Sequence, residues 1–459
     1  MLSLRPGKTI CAVFLLCTAA AISSPAQTFT ILGTVGSMRS PASYGPLVQG
    51  LDGNLYGVTT GGNGTIFQLT TSGVVTTLHT FNGSDGLHPS GGLIVSPSGI
   101  LYGTTGSNAD NFRGTVFSIT TAGHLVNLHQ FCVVTGCPDG VFPLAGLFLA
   151  NNGFWGTTAG GDGTIFNISP SGVFRSVFSF NGTDGQSPAA PLIQGINNNF
   201  YGGTQTTLFE ITSGGTLTTI HTFTGPDGDA LSPAQLVLGP KGIFYGTTMG
   251  GGAHKNACVQ PGCGTIFEIS PGGHTFIQLH RFTGTDGFQP DGLVLANDGN
   301  FYGVTFSGGA NRGPAGAGTI FQLKPDGTFT TLYNFCPQTN CPDGIKPLGL
   351  MQATDGNFYG TTQFGGVSQF EGVAFKFSMG LSPFVTTIPT ARGTGGKVVI
   401  LGTDLSGASS VTFNGTPAVF TVVSPTEITT TVPAGATPGN VEVVTPSGTL
   451  VSNVPFRAN

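Results

Sequence analysis

The chain has 459 residues, 8% of them charged, with 76 Gly, 36 Phe and a net charge of −5 at pH 7. So little charge beside so much Gly and Phe is a β-rich, turn-rich composition and excludes a disordered chain. A mildly acidic chain without a basic cluster is also a poor nucleic-acid binder, and none is expected as a partner.

In chain order, residues 1–26 read as an export signal. Arg5 and Lys8 form the positive end, ICAVFLLCTAAAI the apolar core, and Ser24-Pro25-Ala26 a small-residue cleavage site. The apolar run is too short to span a bilayer. Bulky Leu16 before Cys17 argues against a lipid anchor there. With no second hydrophobic segment, the expectation is a secreted or surface-held chain without a transmembrane segment. Losing Arg5 and Lys8 would leave 15 − 2 = 13 basic against 20 acidic residues, a net charge of −7.

Residues 28–35, TFTILGTV, look like a lone strand. A repeat then begins, best seen in residues 51–81, LDGNLYGVTTGGNGTIFQLTTSGVVTTLHTF. Its aromatic-Gly signal returns at Tyr56, Tyr102, Trp155, Tyr201, Tyr245, Tyr302 and Tyr359, 44 to 57 residues apart. A second signal ends at Phe67, Phe117, Phe166, Phe209, Phe267, Phe321 and Phe375. Each copy divides into four short alternating strands punctuated by Gly, Asp and Asn, with no helical period. Four strands repeated seven times predict an all-β chain with a seven-bladed β-propeller over residues 27–379. A β-solenoid is the rival, but its coils are shorter. The last copy ends at GVAFKF without a fourth strand, so residues 28–35 are expected to supply it and close the ring.

Three cysteine pairs, Cys132/Cys137, Cys258/Cys263 and Cys336/Cys341, share a separation of five. In an exported chain these read as three local disulfides, each contributing about 2 kcal/mol in the chain-entropy model. No His pair stands nearby at zinc-ligand spacing. Antiparallel order places the first-to-second and third-to-fourth turns at one end, short and uniform. The second-to-third links and the crossings between copies share the other end. These are long and variable, including residues 247–264 and 305–318, and hold all three cysteine pairs. Variable loops on a rigid scaffold are where binding sites lie.

Two repeated polar positions invite a catalytic reading. His79, His129, His221 and His280 recur in the fourth strand, but Phe178 and Tyr333 replace them elsewhere, which favours an aromatic packing role. Asp85, Asp139, Asp184, Asp227, Asp286 and Asp343 recur as Asp-Gly in the crossings, the signature of an Asx-type turn. No cofactor is expected. Calcium would need six or more oxygens, and one carboxylate per loop falls short unless carbonyls supply the rest. The off-pattern polar residues in or near the variable loops are Asp110, Asp162, Asp229, His254, Asp291 and Glu371. They form the candidate ligand face, and would have to converge for catalysis.

Past Lys376 the pattern changes to alternating strands with almost no charge. Gly393, Gly395-Gly396 before VVILG, Val411-Thr412-Phe413-Asn414-Gly415, Val432-Pro433, Pro438-Gly439, Ser452-Asn453 and Phe456 carry a resemblance to the IPT/TIG family. That resemblance implies a small immunoglobulin-like β-sandwich over residues 380–459, a spacer or contact module without catalytic residues. The repeats, with their LYGTT…GG…GTIF signals over residues 28–378, resemble the Gloeo-Verruco repeats of secreted bacterial proteins. The fourth copy departs from the pattern at Gly202-Gly203-Thr204-Gln205-Thr206-Thr207-Leu208-Phe209, which trims its variable loop. The resemblance brings no activity with it. Three functions fit: an extracellular binding or adhesion protein for a polysaccharide or surface protein, a secreted glycan- or lactone-directed enzyme, or a structural envelope component.

Overall fold

The computed structural model describes residues 27–36, 45–107, 113–229, 236–252, 258, 262–311, 316–366 and 371–458. Strands and turns make up almost all of them, with two single 3-10 turns. From Val48 to Ser378 the strands form seven antiparallel sheets among the described residues, each built from strands consecutive in sequence. The first, for example, runs Val48–Gln49, Leu55–Thr59, Thr65–Leu69 and Val75–Thr80.

Packing follows from the two repeated signals. The aromatic of the aromatic-Gly pair is buried, and its Gly leaves room for the Phe of the second signal. A Cβ on Gly57 would lie 2.6 Å from the Phe67 ring. The aromatic side chains then stack from sheet to sheet: Tyr102 on Phe154 at 4.0 Å, Trp155 on Phe200 at 4.0 Å, and Tyr245 on Phe301 at 4.1 Å. Such pairs add roughly 0.5–1.5 kcal/mol beyond area burial. The apolar clusters therefore lie between sheets. One joins the first and second sheets through Tyr56, Phe81, Leu101 and Phe117. The sixth and seventh meet through Tyr302, Phe335, Phe358 and Phe375. The seventh meets the first through Leu348, Tyr359, Leu47 and Phe67. The sheets thus form a closed, propeller-like ring. Thr28–Val35 pairs antiparallel with Gly372–Ser378, so the seventh sheet mixes both ends of the repeat region, as the lone N-terminal strand foretold.

The first strands of neighbouring sheets touch one another and form the inner wall. The fourth strands alternate between exposed and half-buried residues and form the rim.

Residues 386–451 form two further four-stranded antiparallel sheets. Val385, Val398, Ile400 and Ile428 from one meet Val411, Phe413, Val441 and Val443 from the other in a separate core. This unit seats on the short-turn end of the ring. Thr426 Oγ1 donates to Leu51 O at 2.6 Å, and Arg392 Nη1 to Asn151 Oδ1 at 3.3 Å. Arg457 donates to both oxygens of Gln194 at 3.2 and 3.3 Å and to Gly195 O. Asn297 Nδ2 donates to Ser382 O at 2.7 Å, and Thr354 Oγ1 meets Thr403 Oγ1 at 2.9 Å. These ring residues stand at or beside the first-to-second turns of five different sheets. One unit touching so many turns lies across the middle of that end.

Candidate binding face

The repeated polar residues are taken up by fastenings between sheets. In four sheets the fourth-strand His donates its Nε2–H to the carboxylate of the Asp in the crossing that follows, with His79–Asp85, His129–Asp139, His221–Asp227 and His280–Asp286 at 2.8–3.0 Å. The same carboxylate accepts a backbone N–H from the start of the crossing, as from Asn82 at 2.9 Å and Thr283 at 2.8 Å. The Asp carbonyl then accepts a Thr hydroxyl from the next sheet: Thr115 to Asp85, Thr164 to Asp139, and Thr265 to Asp227 at 3.2–3.4 Å. That Thr pairs with a Thr near the end of its neighbouring strand, such as Thr105 with Thr115 at 2.9 Å.

The His rings do pack, as their aromatic substitutes foretold. His129, His221 and His280 stack on Phe174, Phe276 and Phe329 at 3.7–3.9 Å. Tyr333 stacks on Phe29 at 4.3 Å and donates to Asp343 at 2.8 Å. The Asx-turn expectation for the crossings needs correction. The crossing carboxylates reach backward to an earlier N–H and to the fourth strand. The forward Asx bond in the crossings is made by Asn82 and Asn181, which accept the N–H of Ser84 and Thr183. At the other end of the ring Asp52, Asp298 and Asp355 accept the N–H two residues on and a Tyr hydroxyl.

Titration reflects these surroundings. Burial pushes Asp286 up, but bonds from His280 and Thr283 outweigh it and hold the carboxyl below the usual range. Asp343 is raised by burial, because Tyr333 brings no charge against it. Burial lowers His129 despite Asp139.

At the opposite end from the C-terminal unit stand the second-to-third links and the crossings. All three disulfides form there: Cys132–Cys137, Cys258–Cys263 and Cys336–Cys341. Two of them staple an insertion into the clasp just described. Asp85 grips an N–H three residues back, whereas Asp139 and Asp343 grip those of Cys132 and Cys336, seven residues back.

A set of positions invisible to repeat reading lies at the same end. His88, Phe142, Ser187, Gln289 and Lys346 each precede a proline that lies in or shortly before an inner strand. All five hold φ between 51° and 58°, the left-handed region that costs a non-glycine residue about 1 kcal/mol or more. In each, the backbone N–H donates to the link of the preceding sheet, at Asn63, Arg113, Asp162, Cys263 and Ala317. One strained backbone thus carries five different side chains around the start of the inner wall.

Four of the six expected face residues are described, and no hydrogen bond or ion pair brings those four together. Asp110 and His254 lie outside the described residues. Asp162 is exposed in the third sheet's link, Asp229 pairs with Gly250 through its backbone, and Glu371 is half-buried before the last repeat strand. Asp291 lies on the inner wall, where Gly349 N–H donates to it at 3.1 Å. Solvent reaches part of Asp291, yet protein encloses its carboxyl and pushes the pKa up to about 6. No hydrogen bond or ion pair joins any two of these side chains among the described residues. Nor do three His, Cys, Asp or Glu groups gather there to hold a metal ion. No helix among the described residues is long and apolar enough to cross a membrane.

Residues 18–207 and 203–417 match the Gloeobacter/Verrucomicrobia repeat. The chain belongs to that repeat family. Residues 381–458 match the IPT/TIG domain. The matches overlap at 381–417, where the strands belong to the C-terminal sheets, so the structure gives that stretch to the IPT/TIG unit. No curated protein matches the chain. Among solved structures, it is similar to an extracellular domain ascribed to a hybrid two-component system of B. thetaiotaomicron. The identity is 12% and the TM-score 0.50, covering 83% of this chain and 46% of that one. A second such domain from the same organism aligns at 12% identity and TM-score 0.49, over 91% and 53%. The PQQ-bound aldose sugar dehydrogenase of Streptomyces coelicolor aligns at 14% and 0.40, over 77% and 99%. The family member described here spans about half the length of the two extracellular domains. At such identities the likeness is one of fold.

Proposed function

We propose that the chain is an exported binding protein. In this reading residues 1–26 direct export, 27–379 form a seven-bladed propeller, and 380–459 an immunoglobulin-like sandwich. The loop-rich end holds a polysaccharide or a protein of the cell surface. The observation that carries the reading is the contrast between the ends of the ring. At the loop-rich end one backbone presents His88, Phe142, Ser187, Gln289 and Lys346 in turn, side chains of different chemistry on an unchanging frame. The short-turn end is occupied by the C-terminal unit. Three disulfides and extracellular structural neighbours are in keeping with export.

The test is binding of residues 27–459 to a panel of soluble and insoluble polysaccharides, with product release followed in the same tubes. Saturable retention, reduced at least tenfold by Phe142→Ala or another mouth substitution, is expected. New reducing ends or unsaturated products would overturn the reading in favour of an enzyme. Retention indifferent to every mouth substitution would move the site elsewhere.

A further inference from the structure

Resting on that reading, we infer that the cleft between the sixth and seventh sheets is a subsite for an uncharged pyranose unit of a neutral polysaccharide. The cleft holds about 780 Å³, within the range of small-ligand pockets. The loop Cys336–Cys341 forms one wall, and Asn311, Ile345 and Phe364 complete it. Its disulfide fixes that wall before any ligand arrives, which lowers the ordering cost of binding.

Phe364 is the lining residue that the repeat does not explain. Counted from the aromatic-Gly pair, the same place holds Gly61, Ser107, Gly160, Thr206, Gly250 and Ser307 in the other six sheets. The packing of the ring therefore calls for a small residue there, and the seventh sheet instead sets a half-buried aromatic ring on the cleft wall. The stapled loop departs in a matching way. Between its cysteines the Cys132–Cys137 loop carries Val133 and Val134, whereas the Cys336–Cys341 loop carries Gln338, Thr339 and Asn340. These three are exposed, and their side chains find no hydrogen-bond partner among the described residues. Asn311 donates to the carbonyls of Asn334 and Phe335 at 3.1 and 2.9 Å, which leaves its Oδ1 to accept. An aromatic face beside neutral groups that both donate and accept matches a pyranose, which has an apolar C–H face and a hydroxyl edge. None of the described lining residues is charged, and the Lys346 ammonium, 5.5 Å from the centre of the Phe364 ring, is not among them. A charged sugar would lose hydration in the cleft and gain no counter-charge.

Phe364→Ser installs the residue that the second and sixth sheets already hold at this place, so the variant should fold. Phe364→Trp keeps a ring on the wall. Titration calorimetry on residues 27–459 would use cellohexaose, mannohexaose and maltohexaose as neutral probes and trigalacturonate as the acidic one. At least one neutral probe should bind wild type, and more tightly than trigalacturonate. Phe364→Ser should weaken that binding roughly tenfold, the scale of one aromatic contact, while Phe364→Trp keeps it. Gln338→Ala should weaken it about threefold, the scale of one neutral hydrogen bond. Neutral binding indifferent to Phe364→Ser would overturn the inference. If that same binding fell with Phe142→Ala, the broader loop-face reading would stand. Tighter binding of trigalacturonate than of every neutral probe would overturn the neutral assignment. Failure of all four probes would overturn this inference together with the polysaccharide half of the broader reading.

Discussion

His129 is pulled two ways, by burial that disfavours its charge and by an Asp139 carboxylate 2.9 Å away that favours it. Burial wins, so its pKa lies below the ordinary histidine value. The unfolded chain then takes a proton near pH 6.5 that the folded one refuses. Stability present above that pH is lost as the pH falls toward the folded pKa. Tyr333–Asp343 shows the cure, at the same ten-residue separation behind the same kind of stapled crossing. Tyr333 brings no charge, and the raised Asp343 makes the folded state the better proton acceptor, the opposite slope. We expect His129→Tyr to keep the clasp and to lose less stability than wild type between pH 7.5 and 5.5. Urea unfolding at both values checks this. An unchanged or steeper acid loss would show that His129 does not set the slope.

The crossing is the element that makes each sheet recognise the next. Its Gly is as necessary as its Asp. Gly140 holds φ 90° and stands where a Cβ would strike the Thr158 hydroxyl, itself bonded to Thr164. Gly140→Ala is therefore strained in backbone and in space, and should lower stability by roughly 1–3 kcal/mol in equilibrium unfolding. A neutral result would mean the crossing can shift without penalty. The stapled insertions obey a different rule. Replacing Cys336 and Cys341 together by Ser should lower stability by about 2 kcal/mol. Tyr333–Asp343 should survive, because the clasp also forms in crossings without a staple. Loss of the Tyr333–Asp343 bond in a crystal structure of that variant would contradict this.

At this scale the sequence was readable wherever chemistry repeats at a fixed place. Tyr56 and Phe67 marked the strands, and TFTILGTV marked the closing strand, since period and alternation are local. The His–Asp fastening escaped because its partners lie six residues apart in some copies and ten in others. The mouth set escaped for the opposite reason. His88, Phe142 and Lys346 share a conformation and no chemistry, and a conformation leaves no mark in the side chains; only the proline after each gave a signal.

For the whole molecule, the seat of the C-terminal unit decides what the two ends of the ring can do. Arg457, near the last residue described, reaches across to Gln194 and Gly195 of the fourth sheet. Burial lowers its pKa, yet three carbonyl oxygens satisfy a guanidinium that stays charged at any physiological pH. Hydrogen bonds to a charged group contribute roughly 1.5–3 kcal/mol. Removing this one should loosen the seat while leaving the separate core around Phe413 and Phe456 intact. Arg457→Met should therefore split a single calorimetric transition into two, with the C-terminal unit melting first. Two independent transitions already present in wild type, and unmoved by Arg457→Met, would mean the seat carries little coupling. The same variant also separates the ends of the ring. The seat lies at the short turns, whereas Lys346 and Phe142 stand at the far ends of the inner strands. Polysaccharide binding at the mouth should be unchanged in Arg457→Met at temperatures below the first transition. A parallel loss of binding would place the C-terminal unit in the recognition surface and reverse the assignment of the two ends.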